Sequence, residues 1–258
     1  MLELEEIKKN FPKEVHSENK AMLREYLQVK ILELIFKSKI ASKLTFIGGT
    51  ALRIVYKTKR FSEDLDFDNK DLSMDDWKNL AELILTEINK QGFKIEIKRT
   101  RLNEDVFHHN ICFPELLFSY GLSPHKNQNL IIKADSQNQG IEYDAEIFNL
   151  NYFDVNTKIK VMPRNVALSQ KFRAFFDREM GRDLFDISSI APTTKPCYNY
   201  LEQALGISNS KQLKERVLAR CEELDILALV NRAKPFLFKE EDVNRILYFK
   251  DYMKQYEF

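Results

Sequence analysis

Two aspartates, Asp64 and Asp66, stand one residue apart in the run Arg60-Phe61-Ser62-Glu63-Asp64-Leu65-Asp66-Phe67, and Gly48-Gly49-Thr50 precedes them. On an extended segment, carboxylates at i and i+2 project to one face. Two such groups can share divalent cations, with Mg²⁺ the natural ion. Positions remain for phosphate oxygens and an attacking hydroxyl, the outline of two-metal phosphoryl transfer. Glycines let a backbone approach a phosphate closely, N–H groups at a helix start attract its charge, and a threonine hydroxyl adds a donor. Such a turn can hold a nucleoside triphosphate. Spacing alone also admits a plainer reading, a glycine turn followed by a strand with a solvated acidic face.

The elements around these residues decide whether they meet. Leu44-Thr45-Phe46-Ile47 is a short apolar run that predicts a strand, the glycines a turn, and Thr50-Ala51-Leu52-Arg53-Ile54-Val55-Tyr56 a helix start. Leu65-Asp66-Phe67-Asp68 alternates apolar and acidic residues at strand length, with Asp64 at its mouth. A long amphipathic helix is expected over about 14–38 and another over 75–90, then strands near 93–100, 106–113, 129–136 and 141–148. From about 164 the pattern turns helical, through Val166, Leu168, Phe172, Phe175 and Phe176, then Leu184-Phe185-Asp186-Ile187, then 213–229 and 243–256. Pro192 and Pro196 punctuate this half, and 191–197 is the nearest thing to a linker. The expectation is an α+β chain: a mixed-sheet lobe with an N-terminal helix over 1–162, followed by a helical lobe over 163–258.

Composition narrows the class without naming it. The 258 residues are 44% hydrophobic and 31% charged, which argues against wholesale disorder, and seven glycines and seven prolines leave room for helices. A net charge of +1 supplies no global pull towards nucleic acid, so any such binding must come from a local basic face. Cys112, Cys197 and Cys221 are odd in number and far apart, which reads as buried thiols in a reducing compartment rather than a zinc site or disulfides. The charged N-terminus has no signal-peptide core and no run reaches the ~20 apolar residues that span a bilayer, so a cytoplasmic protein is expected. His108 and His109 point to opposite faces of a strand and cannot easily chelate one ion; they read as surface or packed histidines.

Phe46-Ile47-Gly48-Gly49-Thr50-Ala51-Leu52-Arg53, with the acidic run from Arg60 to Phe67, resembles the AbiEii family of nucleotidyltransferase toxins, a pattern the mycobacterial MenT toxins share. That family belongs to the DNA polymerase β-like nucleotidyltransferase superfamily, and Thr50 stands where the broader signature has serine. Further on, Val166-Ala167-Leu168-Ser169-Gln170-Lys171-Phe172-Arg173-Ala174 resembles the family's lysine-bearing helix, and Gly181-Arg182-Asp183-Leu184-Phe185-Asp186 its Arg/Lys-Asp-x-x-Asp motif.

The resemblance implies a polymerase β-like sheet lobe with Asp64 and Asp66 as metal-holding catalytic acids. It makes Lys171 a contact to the nucleotide phosphates and Asp183 the remaining essential acid, with Asp186 holding Arg182 or the lobe interface. Ser62 would bind phosphate or a metal-bound water, and Arg60 would neutralise phosphate or pair with Glu63. A third metal carboxylate is expected from a later strand, with Asp135 the first choice and Glu142, Asp144 or Glu146 as alternatives. The implied reaction is transfer of a nucleoside monophosphate from a triphosphate to an acceptor, the 3′ end of transfer RNA in MenT-like relatives. The implied protein partner is a separately encoded antitoxin. Rival expectations are a nucleotidyltransferase acting on a small molecule and a non-catalytic nucleotide-binding module.

Overall fold

The structure is a computed structural model that describes residues 2–102 and 106–258. The chain divides into two compact units, and it does so discontinuously. Unit 1 comprises 1–51, 62–139 and 145–161; unit 2 comprises 52–61, 140–144 and 162–258.

Unit 1 opens with helices α1 (Leu4–Lys8) and α2 (Asn19–Lys37), strand β1 (Leu44–Ile47) and the first turn of α3 (Gly48–Ile54), which runs on into unit 2. It continues through β2 (Leu65–Asn69), α4 (Met74–Lys90), β3 (Glu96–Leu102), β4 (Val106–Phe113), α5 (Leu116–Ser119), β5 (Leu130–Gln137), β6 (Glu146–Tyr152) and β7 (Val155–Val161). The strands form one sheet in the order β3-β4-β5-β2-β1-β7-β6, parallel at β2/β5 and β1/β7 and antiparallel elsewhere.

Strand β2 sits at the middle of that order because Leu65 and Phe67 are buried on one face, with Phe67 against Phe46. The intervening Asp66 is thereby turned to the other face. Helix α4 is held at its start by a reciprocal cap between Ser73 and Asp76, and it buries Trp77, Leu80, Ile84 and Ile88 at helical spacing.

Unit 2 is helical: α6 (Arg164–Asp177), α7 (Gly181–Ile190), α8 (Tyr198–Leu205), α9 (Ser210–Cys221), α10 (Ile226–Ala233), α11 (Asn244–Leu247) and α12 (Phe249–Gln255). Gly181 lets α7 pass close to α10: a Cβ there would lie 2.9 Å from the Leu229 carbonyl carbon and 3.2 Å from Ala233 Cβ. The run 191–197 is tied to α6, since the Ser169 hydroxyl accepts from the Cys197 amide at 2.7 Å, so it belongs to the packing of unit 2.

The mixed α/β architecture agrees with the expectation from sequence. Several details differ, among them the helix expected over 243–256, which is two helices, α11 and α12, and the one expected over 14–38, which begins at Asn19. Strand β7 had no counterpart in the sequence reading. The helix expected over 213–229 is two helices, because Asp225 caps α10 by accepting from the Ala228 amide at 3.0 Å. The strand expected over 141–148 begins only at Glu146. Among the described residues no helix is long and apolar enough to cross a membrane.

Candidate active site

Three neighbouring strands build the acidic centre. The β2/β5 register pairs Asp66 with Asp135, and the β4/β5 register pairs Asp135 with His108. Residues directly opposite across a ladder share a face, so His108, Asp135 and Asp66 form a row. All three are half-buried, while Phe107, His109, Ala134 and Phe67 turn to the buried face. Asp64 stands immediately before β2, also half-buried, and its charge acts on Asp135.

Burial raises the Asp135 carboxyl above the ordinary carboxylate range; the His108 ring opposes the shift and the charge of Asp64 adds to it. His108 Nδ1 lies directly against Asp135 Oδ1. Asp68, the next acid along β2, is buried and its Oδ1 accepts from the Gln139 amide at 2.9 Å, which fixes the chain beyond β5.

The glycine turn is fitted to this centre. Gly48 has φ +78°, and a Cβ on it would stand 2.9 Å from Asp66 Cβ and closer still to Asp66 Oδ2. Only a residue without a side chain brings the turn this near the carboxylate. Thr50 is fully buried and its hydroxyl donates to the Asp64 carbonyl. Expected to add a donor to a phosphate, Thr50 instead ties the start of α3 to the mouth of β2. Ser62 is half-buried, with its carbonyl accepting from Gln28 Nε2 at 3.2 Å, and Glu63 pairs with Arg24 at 2.9 Å.

Unit 2 holds the other expected residues in a largely buried network that Arg178 joins from the surface. Arg60 is 2% exposed and grips Asp186 with two parallel bonds of 2.6 and 2.7 Å, while a third nitrogen donates to the Phe61 carbonyl at 2.9 Å. Lys171, also buried, reaches Asp186 at 2.8 Å and Asp183 at 3.0 Å. Arg178 closes the far side of Asp183 at 2.8 and 3.0 Å.

Burial works against the charge of Arg60, but Asp186 more than offsets it and the guanidinium is raised. Burial likewise opposes Lys171, and Asp186 and Asp183 raise it. Asp183 is held well below the usual carboxylate range, because Lys171 and Arg178 overcome a burial effect of opposite sign.

As the side chains stand, Arg60 and Lys171 are engaged by Asp186 and Asp183 rather than open to a phosphate. Asp186 holds Arg60 and Lys171 rather than Arg182, whose guanidinium lies over the Phe236 ring at 4.4 Å from its centroid.

Among the alternatives to Asp135, Glu142 and Asp144 are exposed in the 140–144 segment of unit 2, and Glu146 lies on β6 at the far edge of the sheet. None joins the row. Sequence reasoning missed His108, whose place beside Asp135 depends on strand register, and Arg178, which nothing local to the sequence ties to Asp183. His109, by contrast, is a packed histidine, stacked on Trp77 at 4.8 Å and bonded to the Trp77 carbonyl at 3.0 Å.

Among the described residues no three His, Cys, Asp or Glu side chains converge tightly enough to hold a metal ion as they stand. The chemistry of the donor set nonetheless fits a hard dication: Asp66 and Asp135 are side by side, Asp64 is near, and all present carboxylate oxygens.

A sheet with paired acids at a glycine turn is the frame of a nucleotidyltransferase. Residues 30–254 match the family described as nucleotidyl transferase AbiEii toxin, type IV TA system, and the chain belongs to that family. MenT4, a nucleotidyltransferase toxin from Mycobacterium tuberculosis H37Rv, has a similar structure: TM-score 0.62 at 15% identity, covering 100% of this chain and 91% of that one. JHP933 from Helicobacter pylori is similar with TM-score 0.53 at 18% identity, covering 91% of each chain. At these identities the likeness concerns the fold. No curated protein matches the chain.

Proposed function

We propose that the protein is a Mg²⁺-dependent toxin that transfers a nucleoside monophosphate from a nucleoside triphosphate to the 3′ end of transfer RNA. The observation that carries the reading is the pairing of Asp66 with Asp135 beside Asp64, in a chain of the AbiEii family. Asp64, Asp66 and Asp135 would hold the dication. The ion, when bound, would supply charge neutralisation for the triphosphate and acidify the attacking hydroxyl.

Gly48 and Gly49 would let the backbone approach the phosphates, with Ser62 beside them. The acceptor oxygen attacks the α-phosphorus, the bond to the β-phosphate oxygen breaks, the hydroxyl proton leaves and pyrophosphate departs. Thr50 serves this by tying the start of α3 to β2, and Gly48 by letting the turn lie close to Asp66. Lys171, Asp183, Asp186 and Arg60 supply the ordered charge network of unit 2, and Lys171 would meet a nucleotide only by exchanging one carboxylate partner for phosphate. An RNA acceptor is supported by the charge of unit 2, in which Lys and Arg outnumber Asp and Glu; in unit 1 the acids prevail. A separately encoded antitoxin would restrain the activity, and the reading places the protein in the cytoplasm.

The test incubates purified protein with each triphosphate labelled at the α-phosphate, Mg²⁺ and total transfer RNA, beside Asp66→Ala. Label on RNA with the parent alone supports the reading and names the base. Label on an added small hydroxyl compound in place of RNA would move the acceptor to a small molecule. No label with any triphosphate would leave a nucleotide-binding module.

A further inference from the structure

The two adjacent histidines of β4 have opposite fates. His109 turns to the buried face, stacks on Trp77 and bonds a backbone carbonyl, all of which packing explains. His108 turns to the open face and sets Nδ1 against Oδ1 of Asp135, with side chains 32% and 33% exposed. Packing does not account for that contact.

Register does give it a geometry. His108 is paired with Asp135, and Asp135 with Asp66, so the imidazole and both carboxylates lie on successive strands about 4.8 Å apart. The ring approaches Asp135 from the side of β4, opposite to Asp66 on β2. The ring covers Oδ1, which is buried and makes no hydrogen bond of regular geometry, and Oδ2 is the donor left over. A ring on the outer side of a ligating carboxylate restricts its rotation, which is how surrounding groups commonly tune a metal site.

We infer that His108 is a positioning residue of the acidic centre, holding Oδ1 of Asp135 so that Oδ2 is presented with Asp66 to a divalent cation. The inference rests on the reading of Asp64, Asp66 and Asp135 as cation-holding acids. It adds a residue from a strand that contributes none of those acids. The imidazole need not touch the ion or the substrate.

The test is direct titration of Mn²⁺ into the full chain, without nucleotide, followed by electron paramagnetic resonance of the free ion and by calorimetry. Parent, Asp135→Ala, His108→Ala and His108→Asn are compared, with thermal melting of each. Asp135→Ala should abolish the site. His108→Ala should weaken Mn²⁺ binding about tenfold with an unchanged melting temperature, and His108→Asn, whose amide can still donate to Oδ1, should recover most of it. If His108→Ala binds Mn²⁺ like the parent while Asp135→Ala does not, the role of His108 is overturned and the acidic centre stands. If the parent shows no Mn²⁺ site that Asp135→Ala removes, both fail together. Should His108→Ala melt early, His108→Phe, which keeps a ring but has no donor, decides at parental melting: weakened Mn²⁺ binding supports the role, and parental binding overturns it.

Discussion

Unit 1 and unit 2 each gather aspartates, and they treat them in opposite ways. In unit 2 every acid of the network has its cation: Asp186 lies between Arg60 and Lys171, Asp183 between Lys171 and Arg178. In unit 1 Asp66 and Asp135 lie side by side with Asp64 near, and burial with the charge of Asp64 pushes Asp135 up against the counter-effects of His108 and Lys133. The difference separates acids whose cations come from their own fold from acids that, on the proposed function, would hold a dication.

Substitution should split activity from stability along that line. The largest effect is expected for Asp66→Ala, with nucleotidyl transfer down on the order of a hundred- to a thousandfold and the melting temperature moved by no more than about 2 °C. A collapse of the melting transition instead would erase the distinction drawn here.

Asp186→Ala should do the reverse. It leaves the buried Arg60 without a carboxylate and Lys171 with Asp183 alone, and urea unfolding should show a loss of about 3–5 kcal/mol. A loss below about 1 kcal/mol would mean that the Arg60–Asp186 pair behaves as a solvated one.

Gly48→Ala should touch both sides, since it forces a side chain into the left-handed region and onto the Asp66 carboxylate. A destabilisation of about 1–3 kcal/mol should accompany a fall in transfer, and full activity would show that the turn does not need its closeness to Asp66.

The smallest effect is a pH dependence. Asp183 holds its proton less tightly in the folded chain than in the unfolded one. Its contribution is therefore complete above the ordinary carboxylate range near pH ~3.9 and is lost as pH falls towards the lowered folded value. The urea midpoint of the parent should drop between pH 5 and pH 3 more steeply than that of Asp183→Asn. Parallel curves would remove Asp183 from the network.

What the sequence disclosed divides by distance along the chain. The strand, glycine turn and helix at 44–54 and the strand that carries Asp66 were legible because their geometry is local: alternation turns Asp66 away from the buried Leu65 and Phe67, and glycines mark the turn. Asp135 could be nominated beside Glu142, Asp144 or Glu146, and its place opposite Asp66 depends on β5 lying beside β2. His108 had no signal at all, because nothing in His108-His109 says which one faces an acid. The pairing of Arg60 with Asp186 spans 126 residues, and the sequence offered Glu63 as a nearer partner; the fold gives Glu63 to Arg24. Strand β7 escaped although Val155, Ile159 and Val161 alternate with Asn156, Lys158 and Lys160, because Thr157 interrupts the apolar face. That the Thr50 hydroxyl turns inward likewise follows only from the meeting of α3 with β2.

The interleaving of the two units sets a schedule for synthesis. Arg60 leaves the ribosome 126 residues ahead of Asp186. At about 5–20 residues per second that is a wait of about 6–25 s for a guanidinium whose final place is dry. Unit 2 cannot begin as a finished segment, because residues 52–61 and 140–144 emerge inside the span that builds the sheet. Those stretches find their unit 2 partners only when the last hundred or so residues arrive, so the sheet face that carries the acids of unit 1 can form before the charge cluster of unit 2 closes.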